Sequence, residues 1–191
     1  MSTAHSPKLA AGQPFPELSV TTSDGQQVRL GQPRPETGAN WQMVLVYRGR
    51  HCPLCTKYLN QLEGFREELK EIGVDILAVS ADSEAQLREH RSRLNVEFPI
   101  AYGLTQAQMD QLGVYVSLPR SEQETDHNFA EPGLFVVNEE GNLHVVDISN
   151  NPFVRPELQA LVNGLRWIRD PDNHYPIRGT RQGPESELTY R

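Results

Sequence analysis

The chain contains two cysteines, and they stand three residues apart in the run Tyr47-Arg48-Gly49-Arg50-His51-Cys52-Pro53-Leu54-Cys55. Thiols at this spacing can cycle between dithiol and disulfide. At the start of a helix, residues i and i+3 share one side at a separation that a disulfide can close. The apolar run Met43 to Tyr47 precedes the pair and reads as a buried strand, and helical periodicity follows it. The pair therefore falls at a helix N-terminus, where unpaired N–H groups and the helix dipole favour a thiolate over a thiol. Arg48 and Arg50, with Lys57 and His51 nearby, add charge of the same sign. Pro53 suits the first helical turn, because it lacks the N–H that would go unpaired there. Cys52 and Cys55 are thus the candidate catalytic residues, and Arg48, Arg50, His51 and Pro53 their candidate support.

Other uses of the pair fit less well. A structural zinc wants about four ligands, yet there is no second cysteine pair and the six histidines form no ligand-spaced pair. Haem attachment needs His directly after the second cysteine, where Thr56 stands. A staple closing so short a loop removes little chain entropy. No metal and no cofactor are expected.

The flanking pattern supplies elements that could hold such a site. Glu17 to Val20 and Val28 to Leu30 flank the turn signal Ser23-Asp24-Gly25 and read as a hairpin. Met43 to Tyr47 is apolar on both faces, as a central strand covered by helices must be. Leu54, Tyr58, Leu62, Phe65, Leu69 and Ile72 form a helical stripe, ended by Gly73. Val74 to Ser80 reads as a second buried strand, and Ser83 caps a helix to about Leu94. Phe98 to Ala101 is a short strand, Thr105 to Leu112 a capped helix, and Pro119 to Glu131 a polar loop. Leu134 to Val137 and Leu143 to Ile148 form a second hairpin, followed by a helix from Arg155 to Ile168. The expected fold is α/β and thioredoxin-like: a central mixed sheet flanked by helices, with an N-terminal hairpin extension. Residues 1–13 read as a flexible lead-in, 14–170 as the domain and 171–191 as an extended tail.

At 191 residues and 37% hydrophobic content, one domain with one sizeable core is expected. The net charge of -7 makes nucleic acid and anionic membrane poor partners. No apolar run approaches the roughly 18 residues of a membrane helix, so a cytoplasmic protein is expected. Trp41 and Trp167 read as packing aromatics, and Glu122, Glu124 and Asp126 as a solvated loop.

In Gly12-Gln13-Pro14-Phe15-Pro16-Glu17-Leu18 with Asp24-Gly25, in Tyr47-Arg48-Gly49 through Cys55, and in Pro132-Gly133-Leu134-Phe135-Val136-Val137 with Gly141, the sequence resembles the peroxiredoxin-like branch of the redoxin family, the alkyl hydroperoxide reductases and thiol-specific antioxidants. The ending Tyr175 to Thr180 resembles the tail of such proteins. Laid on the family pattern P-x-x-x-T-x-x-C, Arg48 falls on the proline, Cys52 on the threonine and Cys55 on the peroxidatic cysteine. The family's distant arginine stands just before the strand at Leu134, where this chain has Pro132. A proline there matches thioredoxins, so the resemblance implies a cis Glu131–Pro132 bond facing the dithiol.

The resemblance implies a thiol-dependent peroxidase that reduces hydroperoxides through a Cys52/Cys55 cycle and is recharged by an external thioredoxin- or glutathione-type thiol. A disulfide reductase acting on protein disulfides, or a redox sensor without catalysis, are the alternatives. Thioredoxin logic gives the first attack to Cys52 at the helix N-cap, whereas peroxiredoxin alignment gives it to Cys55. Cys55 lies one turn deeper and lacks the threonine and arginine of a peroxide pocket, so Cys52 is taken as the attacking thiol.

Overall fold

The computed structural model describes residues 6–181. A hairpin of β1 (Ser19–Thr22) and β2 (Gln27–Arg29) comes first. The chain then enters β3 (Trp41–Val46), which is buried along its whole length, and α1 (Pro53–Glu63) and α2 (Arg66–Glu71) follow. After them run β4 (Val74–Val79), α3 (Glu84–His90), β5 (Ile100–Tyr102) and α4 (Gln106–Leu112). A two-stranded ribbon pairs β6 (Val116–Ser117) with β7 (Phe129–Ala130). The hairpin β8 (Gly133–Val137) and β9 (Leu143–Ile148) and the helix α5 (Leu158–Arg169) complete the order.

The main sheet runs β2-β1-β5-β4-β3-β8-β9. Its centre is parallel, β3 with β4 and β4 with β5, while β8 and β9 add antiparallel on one side. The N-terminal hairpin extends the other edge, β1 pairing antiparallel with β5. Period-two alternation sends Met43 and Leu45 to one face and Val44 and Val46 to the other. One face packs α1, α2 and α5 through Leu59, Leu62, Leu69, Val162 and Leu165. The opposite face packs Phe15, Leu30, Met109 and Leu112. Both faces of the central strands are therefore covered, as their unbroken apolar runs require.

Local signals place the helices well. Ser83 and Thr105 each close a capping box, with Gln86 and Gln108 reaching back to the cap N–H. The long stripe after the cysteines is two helices rather than one. It turns at Gly64 and Phe65, where the backbone N–H groups bond three residues back, to Gln61 and Leu62. The buried face of α1 is Cys55, Leu59 and Leu62: Cys55 and Leu59 take the places expected of Leu54 and Tyr58, one position along, which leaves Leu54 on the surface. Counting Cys55 as an apolar residue corrects the register.

The polar stretch before Pro132 is also more ordered than its composition suggests. Phe129 and Ala130 are buried, and the loop between β6 and β7 is closed by their pairing. Residues 6–13, expected as a flexible lead-in, are tied down: the Lys8 ammonium donates to the Gly113 carbonyl at 2.7 Å, and Gly12 N–H to the Leu143 carbonyl at 2.7 Å. Residues 171–181 contain one short 3-10 turn, Pro171–Asn173, and otherwise run irregularly; the rest of the expected tail lies outside the described residues. No helix among the described residues is long and apolar enough to cross a membrane.

Leu62 is fully buried between α1 and the sheet. Leu62→Ala is expected to lower unfolding free energy by about 2–5 kcal/mol, as large-to-small core changes do, measured as a shift of the urea midpoint at unchanged slope.

Candidate active site

Strand β3 ends at Val46, and residues 47–51 carry the chain to α1. Gly49 sits at φ 135°, a conformation that favours glycine, and a Cβ there would lie 2.5 Å from the Asp82 Oδ1. Asp82 is fully buried after β4. Its carboxylate accepts the Arg50 N–H at 2.7 Å and faces His127 Nε2 at 3.3 Å. The loop is thereby fixed against the neighbouring strand end, and Cys52 arrives as the N-cap of α1 with Pro53 at the first helical position.

Both thiols are free and buried, 2% exposed at Cys52 and 0% at Cys55. Their environments differ. The Cys52 sulfur accepts the Cys55 N–H at 3.2 Å, one of the orphan donors of the helix start. The Cys55 thiol's hydrogen bond favours the Cys52 thiolate most, with further help from that N–H, from Arg48 and from Arg155 against burial, and together they bring Cys52 down to about 6. Cys55 moves the opposite way: burial pushes it up, and its hydrogen bond to Cys52 adds to the rise. One thiol is ionised at neutral pH and its neighbour holds its proton.

The expected supporting residues divide. Arg48 faces Cys52, lies over the Phe129 ring, and is paired with the buried Glu131 carboxylate at 3.1 Å. Glu124 stands 3.9 Å from the same guanidinium and bonds Arg120, so this member of the acidic loop is not simply solvated. Arg50 supports the site through its backbone N–H, while its side chain turns outward to Glu89. His51 packs edge-on against Phe129, and burial lowers its pKa, so it shields the site as a neutral ring rather than adding charge. Lys57 is exposed.

Pro132 is buried, but the Glu131–Pro132 bond is trans, since the described chain holds no cis peptide. The expectation of a cis bond is corrected by the ladders on either side. Glu131 N–H donates to the Tyr115 carbonyl at 2.7 Å beside the β6–β7 ribbon, and the Pro132 carbonyl accepts Ser149 N–H at 3.0 Å beside β8–β9. The chain passes extended from one sheet to the other, and trans is the lower-energy isomer for such a run.

The sequence reading missed Arg155. Its Nη2 donates to the Cys55 sulfur at 2.9 Å and lies 3.9 Å from the Cys52 sulfur. It also missed a neutral polar pair beneath α1, where the Thr56 hydroxyl and His90 Nε2 share a hydrogen bond at 2.7 Å and burial lowers His90 to about 4. Arg155 lies in a Pro-flanked segment with no motif, 100 residues from Cys55, and local pattern carries no trace of such a contact.

The model of the AhpC/TSA family matches residues 11–146, well over half of the chain. This chain belongs to the AhpC/TSA family. Peroxiredoxin Bcp of Escherichia coli K12 is 31% identical over 109 residues, 56% of this chain. The match spans 66% of that relative, just under two thirds of its length. A peroxiredoxin-like protein from Aquifex aeolicus superposes with a TM-score of 0.69 at 19% identity, covering 85% of this chain and 89% of its own. AhpC of Mycobacterium tuberculosis gives 0.68 at 18% identity, covering 87% and 96%. These likenesses show the thioredoxin-like fold of the AhpC/TSA proteins, a mixed sheet with helices on both faces.

With a limiting electrophile, native alkylation mapped by peptide mass is expected at Cys52, its rate rising with pH through a midpoint of about 6. In Cys55→Ala the thiol donor is gone, so that midpoint should move upward. Gly49→Ala forces a side chain into a strained backbone region against Asp82, and is expected to cost about 1–3 kcal/mol in a denaturant melt.

Proposed function

We propose that the protein is a thiol-dependent peroxidase that reduces hydroperoxides through a Cys52/Cys55 dithiol–disulfide cycle. The observation that carries the reading is the asymmetry of the two thiols: a low-pKa sulfur at a helix N-cap beside a protonated one within the same turn. The Cys52 thiolate attacks the terminal oxygen of the hydroperoxide, the O–O bond breaks, and the leaving alkoxide or hydroxide takes up a proton. Cys52 is then a sulfenic acid. Cys55 displaces its oxygen as water and forms the disulfide, which an external thioredoxin- or glutathione-type thiol reduces. Membership of the AhpC/TSA family and similarity to a peroxiredoxin of Escherichia coli support this substrate class. The same reading carries a cytoplasmic setting, where thiols are kept reduced between turnovers.

Burial of both sulfurs favours a small oxidant over a protein disulfide as the attacking partner. The trans bond at Pro132 also departs from the thioredoxin pattern at that one position. One equivalent of hydrogen peroxide is expected to remove two hydrogens from the intact mass and to link Cys52 to Cys55. Cys52→Ser should lose peroxide consumption down to the buffer background, while the wild-type chain should leave insulin disulfides intact. Fast insulin reduction with slow peroxide consumption would favour the reductase instead.

A further inference from the structure

A second thiol must attack if the cycle is to close, and Cys55 is badly placed to do so unaided. It is fully buried, and burial raises its pKa. A neutral thiol is a poor nucleophile in disulfide exchange.

Arg155 answers that need. Its guanidinium is held over the Tyr58 ring at 5.0 Å, and the Tyr58 hydroxyl donates to the Pro156 carbonyl at 2.7 Å, fastening the segment ahead of α5 to α1. Pro156 restricts the backbone beside it. Among the described residues no carboxylate lies within ion-pair distance of Arg155, whereas the charge of Arg48 is shared with Glu131 and Glu124. The free charge points at sulfur, and it is closer to Cys55, 2.9 Å, than to Cys52, 3.9 Å.

We propose that Arg155 is a catalytic residue of the resolving step, donating to the Cys55 sulfur so that Cys55 can attack Cys52 and close the disulfide. The inference rests on the peroxidase reading for its place in the cycle. Once Cys52 is a sulfenic acid, its negative charge no longer opposes ionisation of Cys55, and Arg155 acts unopposed except by burial. Cys55 releases its proton, its sulfur attacks the Cys52 sulfur, the S–S bond forms and the S–O bond breaks. The oxygen leaves as hydroxide and takes up a proton, so no further oxidant or reductant enters. Cys52 needs Arg155 less, because the Cys55 N–H and Arg48 already face it.

The test compares wild type with R155M and R155K in two experiments. In the first, one equivalent of hydrogen peroxide is added and the reaction quenched at intervals. Sulfenic acid is trapped with dimedone, and disulfide is read from intact mass. R155M should close the disulfide at least about tenfold more slowly, the loss of one charge-assisted hydrogen bond, and this loss should exceed whatever it loses in forming sulfenic acid, since Arg155 lies farther from Cys52 than from Cys55. Its closing rate should also need higher pH, and R155K should fall between the two. In the second, Cys52 is loaded with thionitrobenzoate, and attack by Cys55 is followed by release of the coloured thiolate, which needs no peroxide. R155M should again release it at least about tenfold more slowly. Equal release in R155M and wild type overturns the role of Arg155 even if the peroxide reaction proceeds. Slow release in R155M with no sulfenic acid in wild type upholds Arg155 and overturns the peroxidase reading. Matching circular dichroism melts for R155K and wild type keep the comparison valid if R155M is destabilised.

Discussion

The site hangs on one buried carboxylate. Asp82, at the end of β4, accepts the Arg50 N–H and occupies the space where any side chain at Gly49 would go. A buried carboxylate without partners is costly. Here the groups that satisfy it belong to the loop that must deliver Cys52, and to His127 from the segment covering the site. Satisfying the charge and positioning the thiol are one arrangement. The parallel pairing of β3 with β4 puts the two strand ends side by side and makes the clasp possible.

Within that frame two identical side chains, three residues apart, acquire opposite character. The N-cap position gives Cys52 an N–H and an arginine, while Cys55, one turn into α1, meets the apolar core formed by Leu59, Leu62 and their neighbours. Helix geometry supplies the N–H, because only the first turn has orphan donors to offer; the thiol-to-thiol hydrogen bond and the deeper burial of Cys55 do the rest. The cationic partner of the inner sulfur arrives from beyond β9, through a segment that packs on α1 by way of Tyr58. Pro132, at the position where the resembling proteins carry an arginine, is committed instead to linking two ladders.

What was legible in the sequence was local. The caps at Ser83 and Thr105, the Asp24-Gly25 turn and the strand-to-helix setting of the cysteines each depend on residues within a turn of one another, and the structure holds them where the pattern puts them. Arg155, Asp82 and Glu131 were not legible, because each acts on a residue many positions away through sheet topology. Arg50 shows the limit in reverse: its position beside Cys52 suggested side-chain charge, yet the backbone N–H does the work and the guanidinium leaves the site. The Pro132 isomer differs from the expectation for a related reason: the thioredoxin resemblance suggests cis, whereas here the bond is trans in a chain running between two ladders.

The two arginines facing the sulfurs have a consequence for the oxidised molecule. Arg48 and Arg155 favour negative charge on sulfur, and a disulfide carries none. Joining the two cysteines leaves Arg155 beside neutral atoms with no carboxylate among the described residues to turn to. The attraction that prepares the thiols for oxidation belongs to the reduced form alone, and it tilts the dithiol–disulfide couple toward that form, in the direction of a less negative reduction potential. In the proposed cycle, that shift makes the disulfide easier for an external thiol to reduce.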